Sequence, residues 1–257
     1  MIDATLIEHL ADAAWPAEEQ IPLGPWKLRA THGVTRRANS VFTAGGRDEP
    51  DAQVLEWIDA AETFYADRAL PMVFQISAAT GMRRLDALLE SRGYGVNGAS
   101  EVWMRDLDGF APLASRTDWS VQRCDDPDAG WFDCAFDELA DRRRVHEQIV
   151  RRAPWPRVFV STGVDGERAG CGMATSGRGY TGIFCMATRE GFRRRGVGLA
   201  MVHDLCAWGA AQGDRGAFLQ VMVGNEAAQE LYRKAGFAFA YAYHYRVKNA
   251  AAISPRC

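Results

Sequence analysis

The sequence predicts an α/β fold, a mixed and twisted sheet flanked by helices, built in two related halves. Three observations point there. Short apolar runs with strand character alternate with segments whose apolar residues recur at helical spacing. The run Ala217–Val223 is an apolar strand suited to burial on both sides. The two halves end alike: Leu88-Leu89-Glu90-Ser91-Arg92-Gly93-Tyr94 lies over Leu231-Tyr232-Arg233-Lys234-Ala235-Gly236-Phe237, each the end of a helix, a glycine and an aromatic residue that opens a strand.

The elements follow in order. Ile2–Ala14 reads as an amphipathic helix with Ile2, Leu6, Ile7 and Leu10 on one side. Trp26–Thr31 and Ser40–Thr43 read as short strands, and Asp51–Arg68 as a long helix carrying Val54, Leu55, Ile58, Ala61 and Tyr65 at helical spacing. Pro71–Ile76 is an apolar strand, Arg83–Arg92 a helix stopped by Gly93, and Glu101–Arg105 a closing strand. A seam near Asp106–Asp118, with Gly109, Pro112, Ser115 and Thr117, separates a domain at 1–108 from one at 117–249.

In the second half, Trp119–Arg123 reads as a strand and Asp137–Arg152 as helix, stopped by Pro154 and Pro156. Arg157–Ser161 and Gly170–Ser176 form a hairpin around Asp165-Gly166. Tyr180–Thr188 is a strand, Gly196–Gln212 a helix, and Ala217–Val223 the buried strand. Asn225–Ala235 is a helix with Asn225 as its N-cap, and Phe237–Val247 returns as strand. Residues Ala250–Cys257 read as a loose tail.

Composition narrows the function. With 257 residues, 47% hydrophobic and 25% charged, the chain has ample material for a core. A formal net charge of -3 gives no bulk attraction to nucleic acid or membrane, so neither is expected as a partner. No apolar run is long enough to span a bilayer, and the N-terminus lacks a secretory pattern, so a cytoplasmic protein is expected. The six cysteines are scattered, without a CxxC pair or His–Cys spacing suited to a metal, so reduced thiols and no metal are expected.

The chemistry concentrates in Met186-Ala187-Thr188-Arg189-Glu190-Gly191-Phe192-Arg193-Arg194-Arg195-Gly196-Val197-Gly198. A strand ends, a basic loop follows, and Gly-x-Gly opens a long helix. Helix N-termini offer unpaired N–H groups and a positive dipole end, glycines admit a phosphate to the backbone, and arginines add charge-assisted contacts. A diphosphate is the natural guest. Neither a Walker loop nor a complete GxGxxG is present, since no GK[ST] follows and position 201 is Met201.

A second motif follows: Asn225-Glu226-Ala227-Ala228-Gln229-Glu230-Leu231-Tyr232-Arg233-Lys234-Ala235-Gly236-Phe237. Together the two resemble the GCN5-related N-acetyltransferase (GNAT) superfamily. Its phosphate loop [RQ]-x-x-G-x-[GA] is matched by Arg193, Gly196 and Gly198. Its later signature is matched by Asn225, Ala228, Leu231, Tyr232, Lys234, Gly236 and Phe237. The resemblance covers Trp119–Val247. It implies a tandem of two GNAT-like halves, the first degenerate, since Val41–Pro50 keeps glycines but lacks the loop pattern and is acidic where an anion would bind.

The resemblance further implies acetyl-CoA as acyl-donor substrate and a small-molecule or peptide amine as acceptor, in a monomer or homodimer. Met186, Ala187 and Thr188 would meet the pantetheine arm. Arg193, Arg194, Arg195, Gly196, Val197 and Gly198 would cradle the pyrophosphate. Asn225 would touch the pantetheine or only cap its helix. Tyr232 would protonate the departing thiolate, or only pack on the buried helix face. Glu138, Asp141, Glu167, Tyr180 and His244 stay open as the general base. Cys185 lies near the expected thioester, but a buried cysteine reads first as a small hydrophobe. The polar cluster Thr35-Arg36-Arg37-Ala38-Asn39-Ser40 lines an acceptor cleft or forms a solvated edge, and Arg142-Arg143-Arg144 with Arg151-Arg152 favours an acidic acceptor or is a solvated face. A non-catalytic acyl-CoA sensor or a scaffold with a relic fold is the alternative function.

Overall fold

The structure, a computed structural model, describes residues 2–44, 49–110, 119–136, 139–164 and 166–248. The 45–48 part of the acidic segment, most of the seam, Glu138, Asp165 and the tail lie outside these residues.

The chain forms two compact units, Met1–Glu101 with Tyr241–Cys257, and Val102–Ala240. The first contains α1 (Ala4–Ala14), β1 (Glu19–Leu23), β2 (Trp26–Ala30), β3 (Val41–Phe42), α2 (Asp51–Ala66), β4 (Val73–Ser77) and α3 (Arg83–Ser91). Strand β5 (Gly95–Asp106) leads into the second. There follow β6 (Val121–Cys124), α4 (Ala129–Ala135), α5 (Ala140–Arg152), β7 (Arg157–Val164), β8 (Glu167–Gly177) and β9 (Tyr180–Thr188). Helix α6 (Val197–Ala211), β10 (Gly216–Met222) and α7 (Glu226–Lys234) complete it, and β11 (Ala238–Val247) carries the chain back to the first unit.

This division departs from domains at 1–108 and 117–249. Backbone pairing is the cause: Tyr243–Val247 of β11 run antiparallel to β4, from Tyr243 opposite Ser77 to Val247 opposite Val73. The Tyr241 hydroxyl also donates to Glu8 at 2.9 Å. The last strand thus completes the sheet and core that the first residues begin.

In the first unit, β1, β2 and β3 are antiparallel neighbours, and β3 runs parallel to β4. Helices α2 and α3 cover a core of Trp26, Val41, Ile58, Tyr65, Phe74 and Leu89. In the second unit the order is β5, β10, β9, β8, β7, β6. Only β9 and β10 are parallel among its registered pairs; β8 is antiparallel to both neighbours, and β6 to β7. Helix α6 seals one face through Val197, Met201, Val202, Leu205 and Cys206, which pack on Val160, Ile183, Leu219 and Val221.

The internal repeat is visible in the backbone. Gly93 and Gly236 have φ of 83° and 81°, and Tyr94 N–H and Phe237 N–H bond back to the carbonyls of Leu89 and Tyr232, each at 3.0 Å. This left-handed helix ending favours glycine, whose lack of a Cβ removes the steric penalty. Both units use it to turn a short helix into the next strand.

Candidate active site

Strand β9 is aligned with β8 through Tyr180–Phe184, and then the register slips. Met173 faces Phe184 while Cys171 faces Ala187, so Cys185 and Met186 together oppose Gly172 alone. This is a β-bulge, and Cys185 takes a φ of 54° to make it. Gly172 gives the bulge room, because a Cβ there would stand 2.5 Å from the Met186 sulfur. On its other side β9 pairs with β10 from Tyr180–Gly216 to Ile183–Leu219 and no further, though the strands continue to Thr188 and Met222. The bulge and the end of pairing coincide, leaving the two parallel strands unpaired beyond Ile183.

The basic loop begins where β9 ends. Arg189 N–H bonds to the Ala169 carbonyl at 2.9 Å, a tight turn spans Glu190–Phe192, and the buried Phe192 ring pins it to the core. Arg194 and Gly196 have φ of 59° and 84°, and α6 starts at Val197. Ala200 N–H makes the i→i−4 bond to the Gly196 carbonyl, so the N–H groups of Val197, Gly198 and Leu199 lie in the first turn, where the helix ladder supplies no acceptor. The three arginines differ. Arg193 donates from Nε to the Thr188 carbonyl at 3.3 Å, Arg194 projects into solvent, and the Arg195 guanidinium lies over the rings of Trp119 and Phe192, 5.3 and 5.4 Å from their centroids. The Trp119 indole also donates to the Arg195 carbonyl at 2.7 Å.

The two sequence motifs meet at Gly198 and Leu231. A Cβ on Gly198 would stand 2.9 Å from Leu231 Cδ2 and 3.7 Å from Thr188 Oγ1, so this glycine lets the start of α6 approach α7 and the end of β9 together. Asn225 caps α7, accepting from Ala228 N–H at 3.1 Å, with the residue exposed. Tyr232 is 7% exposed and edge-on to Phe237, with centroids 6.3 Å apart. No hydrogen bond reaches its hydroxyl among the described residues, and burial lifts its pKa to about 12.

The candidate bases are not gathered here. Tyr180 lies at the end of β9 remote from the bulge, beneath Arg215. His244 belongs to the first unit, its Nε2 2.9 Å from Asp86. Asp141 and Glu167 are exposed, at the start of α5 and of β8. Of the arginine run on α5, Arg143 pairs with Asp133 and Glu147, and Arg151 with Asp126, as a solvated face does.

Two residues escaped the sequence reading. Trp119, which holds the loop, was assigned only to a strand. Gln220 follows the last β9–β10 pair directly, and its Oε1 is shielded from solvent with no partner among the described residues. Leu219 and Val221 pack toward α6, so strand alternation turns Gln220 to the opposite face, with Phe218 against Phe184. A lone carboxamide inside the apolar run Ala217–Val223 was the available signal.

Among its described residues the first unit lacks these features. Its parallel pair β3–β4 ends with Thr43 Oγ1 donating to the Gln75 carbonyl at 2.6 Å. Helix α2 opens on Pro50 without a side-chain cap, and Asp51 in its first turn pairs with Arg84. An acidic side chain therefore takes the place of an anion at that helix start. Where the repeat puts Tyr232, the first unit has Leu89.

Comparison with known proteins agrees with this geometry. Residues 3–246 match the family described as "Probable histone acetyltransferase Rv0428c C-terminal". The chain is 32% identical over 253 residues to "Uncharacterized N-acetyltransferase YobR" of Bacillus subtilis (strain 168), covering 97% of this chain and 100% of that protein. In fold it is similar to a GCN5-related N-acetyltransferase from Kribbella flavida, with a TM-score of 0.74 and 14% identity over 97% of each chain. It is also similar to a tandem GNAT protein from the clavulanic acid biosynthesis pathway, with a TM-score of 0.61 and 16% identity, covering 79% of this chain and 71% of that one. Among the described residues no helix is long and apolar enough to cross a membrane. With a bulged strand, a split parallel pair and a glycine-opened helix in one unit, and a family match across nearly the whole chain, this protein belongs to the Rv0428c C-terminal family of tandem GCN5-related N-acetyltransferases.

Proposed function

We propose that the second unit transfers an acetyl group from acetyl-CoA to a primary amine of a small molecule or peptide. The observation that carries this reading is the coincidence of the Cys185–Met186 bulge with the end of β9–β10 pairing, directly upstream of the open first turn of α6. An extended pantetheine arm fits a strand edge whose backbone groups have lost their ladder partner, with Met186, Ala187 and Thr188 supplying the contacts. The pyrophosphate fits the N–H groups of Val197, Gly198 and Leu199, with Arg193 and Arg194 adding charge and Arg195 shaping the loop from its aromatic seat.

In the reaction the amine nitrogen attacks the thioester carbonyl, a C–N bond forms, and the C–S bond breaks. The departing thiolate takes the Tyr232 proton, which a pKa of about 12 keeps in place at neutral pH. Gln220 is a carboxamide and accepts a hydrogen bond from the attacking amine without acting as its base; the amine's excess proton leaves to water. The work is mainly positioning and polarisation of the carbonyl.

Calorimetric titration with acetyl-CoA, followed by CoA release with an amine panel, tests the proposal. One site per chain and amine-dependent release are expected. Binding without release from any amine would leave a sensor, and no binding would leave a scaffold.

A further inference from the structure

The turn between β2 and β3 holds a half-buried cation, Arg36, that no acetyl-transfer step uses. Arg36 has its Nε and Nη2 shielded from solvent and without a hydrogen-bond partner, and among the described residues no carboxylate pairs with it. Among the described residues, the fully buried arginines of the unit, Arg29 and Arg246, have hydrogen-bond partners. Arg29 bonds to Asp12, Ser40 and Gln75, and Arg246 to Asp86 and the Tyr94 carbonyl. Shielded donors left without an acceptor are costly for a fold to keep.

The surroundings are built around that cation. Asn39 accepts from Thr31 and Gly33 N–H at 2.7 and 2.9 Å and donates to the carbonyls of Thr31 and Thr35 at 3.1 and 2.7 Å. The Arg36 carbonyl accepts from Asn39 N–H at 3.0 Å, so the turn is fixed on both sides of the guanidinium. Tyr245 places its ring 5.9 Å from Arg36 Cζ, and Tyr243 packs edge-on to Tyr245 at 5.7 Å. Gly98, with φ of 60°, gives way to the side chain, since a Cβ there would stand 2.7 Å from Nη1.

Nε and Nη2 form the side-on edge of a guanidinium, two parallel donors spaced for the two oxygens of one carboxylate. A monoanion balances the single charge, whereas a phosphate dianion would need further donors. We infer that Arg36 binds the carboxylate of a small ligand in the first unit, beside Tyr245 and Gly98. Such a site gives the half without a phosphate loop a ligand of its own, and it stands independently of the acetyl-transfer reading.

The test is an NMR titration of the full chain, following arginine Nε–H resonances with succinate as probe and inorganic phosphate as control. A saturable shift of the Arg36 resonance with succinate, with a much weaker response to phosphate, is expected. Arg36→Lys keeps the charge but loses the fork, and should weaken succinate binding about tenfold or more while acetyl-CoA binding is retained. An Arg36 resonance that stays still in the wild-type chain would overturn the site whether or not the variant folds. So would an equal response to phosphate, or undiminished succinate binding by a folded variant.

Discussion

Ile183 and Leu219 are the last residues at which β9 and β10 face one another in register, and the next residue on each strand belongs to the candidate site. Phe184 leads into the bulge and Gln220 has a carboxamide oxygen without a partner among the described residues. Substitution at Gln220 should therefore separate the two substrates. Gln220→Ala is expected to raise the amine KM roughly tenfold, the scale of one lost hydrogen bond, and to leave acetyl-CoA affinity unchanged. Equal effects on both substrates in steady-state kinetics would remove Gln220 from the amine side.

Tyr232→Phe should lower kcat by roughly 10²–10⁴ with little change in acetyl-CoA affinity, the range for lost acid–base assistance. The Tyr232 hydroxyl makes no hydrogen bond among the described residues, so thermal stability should hold. Near-normal turnover would assign Tyr232 to packing alone.

Gly196 has φ of 84°, where a side chain adds strain of roughly 1–2 kcal/mol. Gly196→Glu adds a negative charge where the pyrophosphate is expected. The variant should fold with a modest loss of Tm and show no acetyl-CoA binding by calorimetry. Retained affinity would dismiss the phosphate-loop assignment.

Asn225 can be tested for a role beyond capping. Asn225→Ser keeps an N-cap oxygen and should preserve stability, while Asn225→Ala should cost about 1 kcal/mol. If Asn225 also touches the pantetheine, both variants raise the acetyl-CoA KM; if it only caps, the serine variant behaves as wild type.

Glu8 gives a pH dependence. It is 2% exposed, and burial raises its pKa from 4.5 to about 7 against the opposing pull of Tyr241, Arg37, Arg29 and Gln75. A carboxyl with a raised folded pKa contributes stability that is full below pH 4.5 and lost as pH rises through about 7. Glu8→Gln removes that loss, worth up to about 3 kcal/mol. Urea unfolding at pH 5 and pH 8 should show a smaller decline in the variant than in the wild type; parallel declines would refute the assignment.

Much of this was legible in the sequence where local rules act. Strand β9 and helix α6 lie where the apolar spacing and the Gly196–Gly198 pair put them, and Asn225 caps as its side chain and position require. Strand β1 was missed because Glu19–Leu23 is an edge strand, largely solvated and carrying Pro22, so it lacks an alternating pattern. Helix α4, short and with Gly130 near its start, has weak helical preference and gains its place from the burial of Trp131 and Phe132. The Cys185 bulge is an offset between two strands, and the pairing of Tyr243 with Ser77 joins distant parts of the chain. Neither is a property of a local window.

The return of β11 to β4 has a consequence for synthesis. In sequence, the second unit is an insertion within the first, since residues on both sides of it, up to Glu101 and from Tyr241, build one body. A ribosome completes β6 to β10 of the second unit before it makes the strand that covers β4. The half that begins first is therefore finished last. Until β11 is made, its exposed β4 edge is the part of the nascent chain most in need of protection.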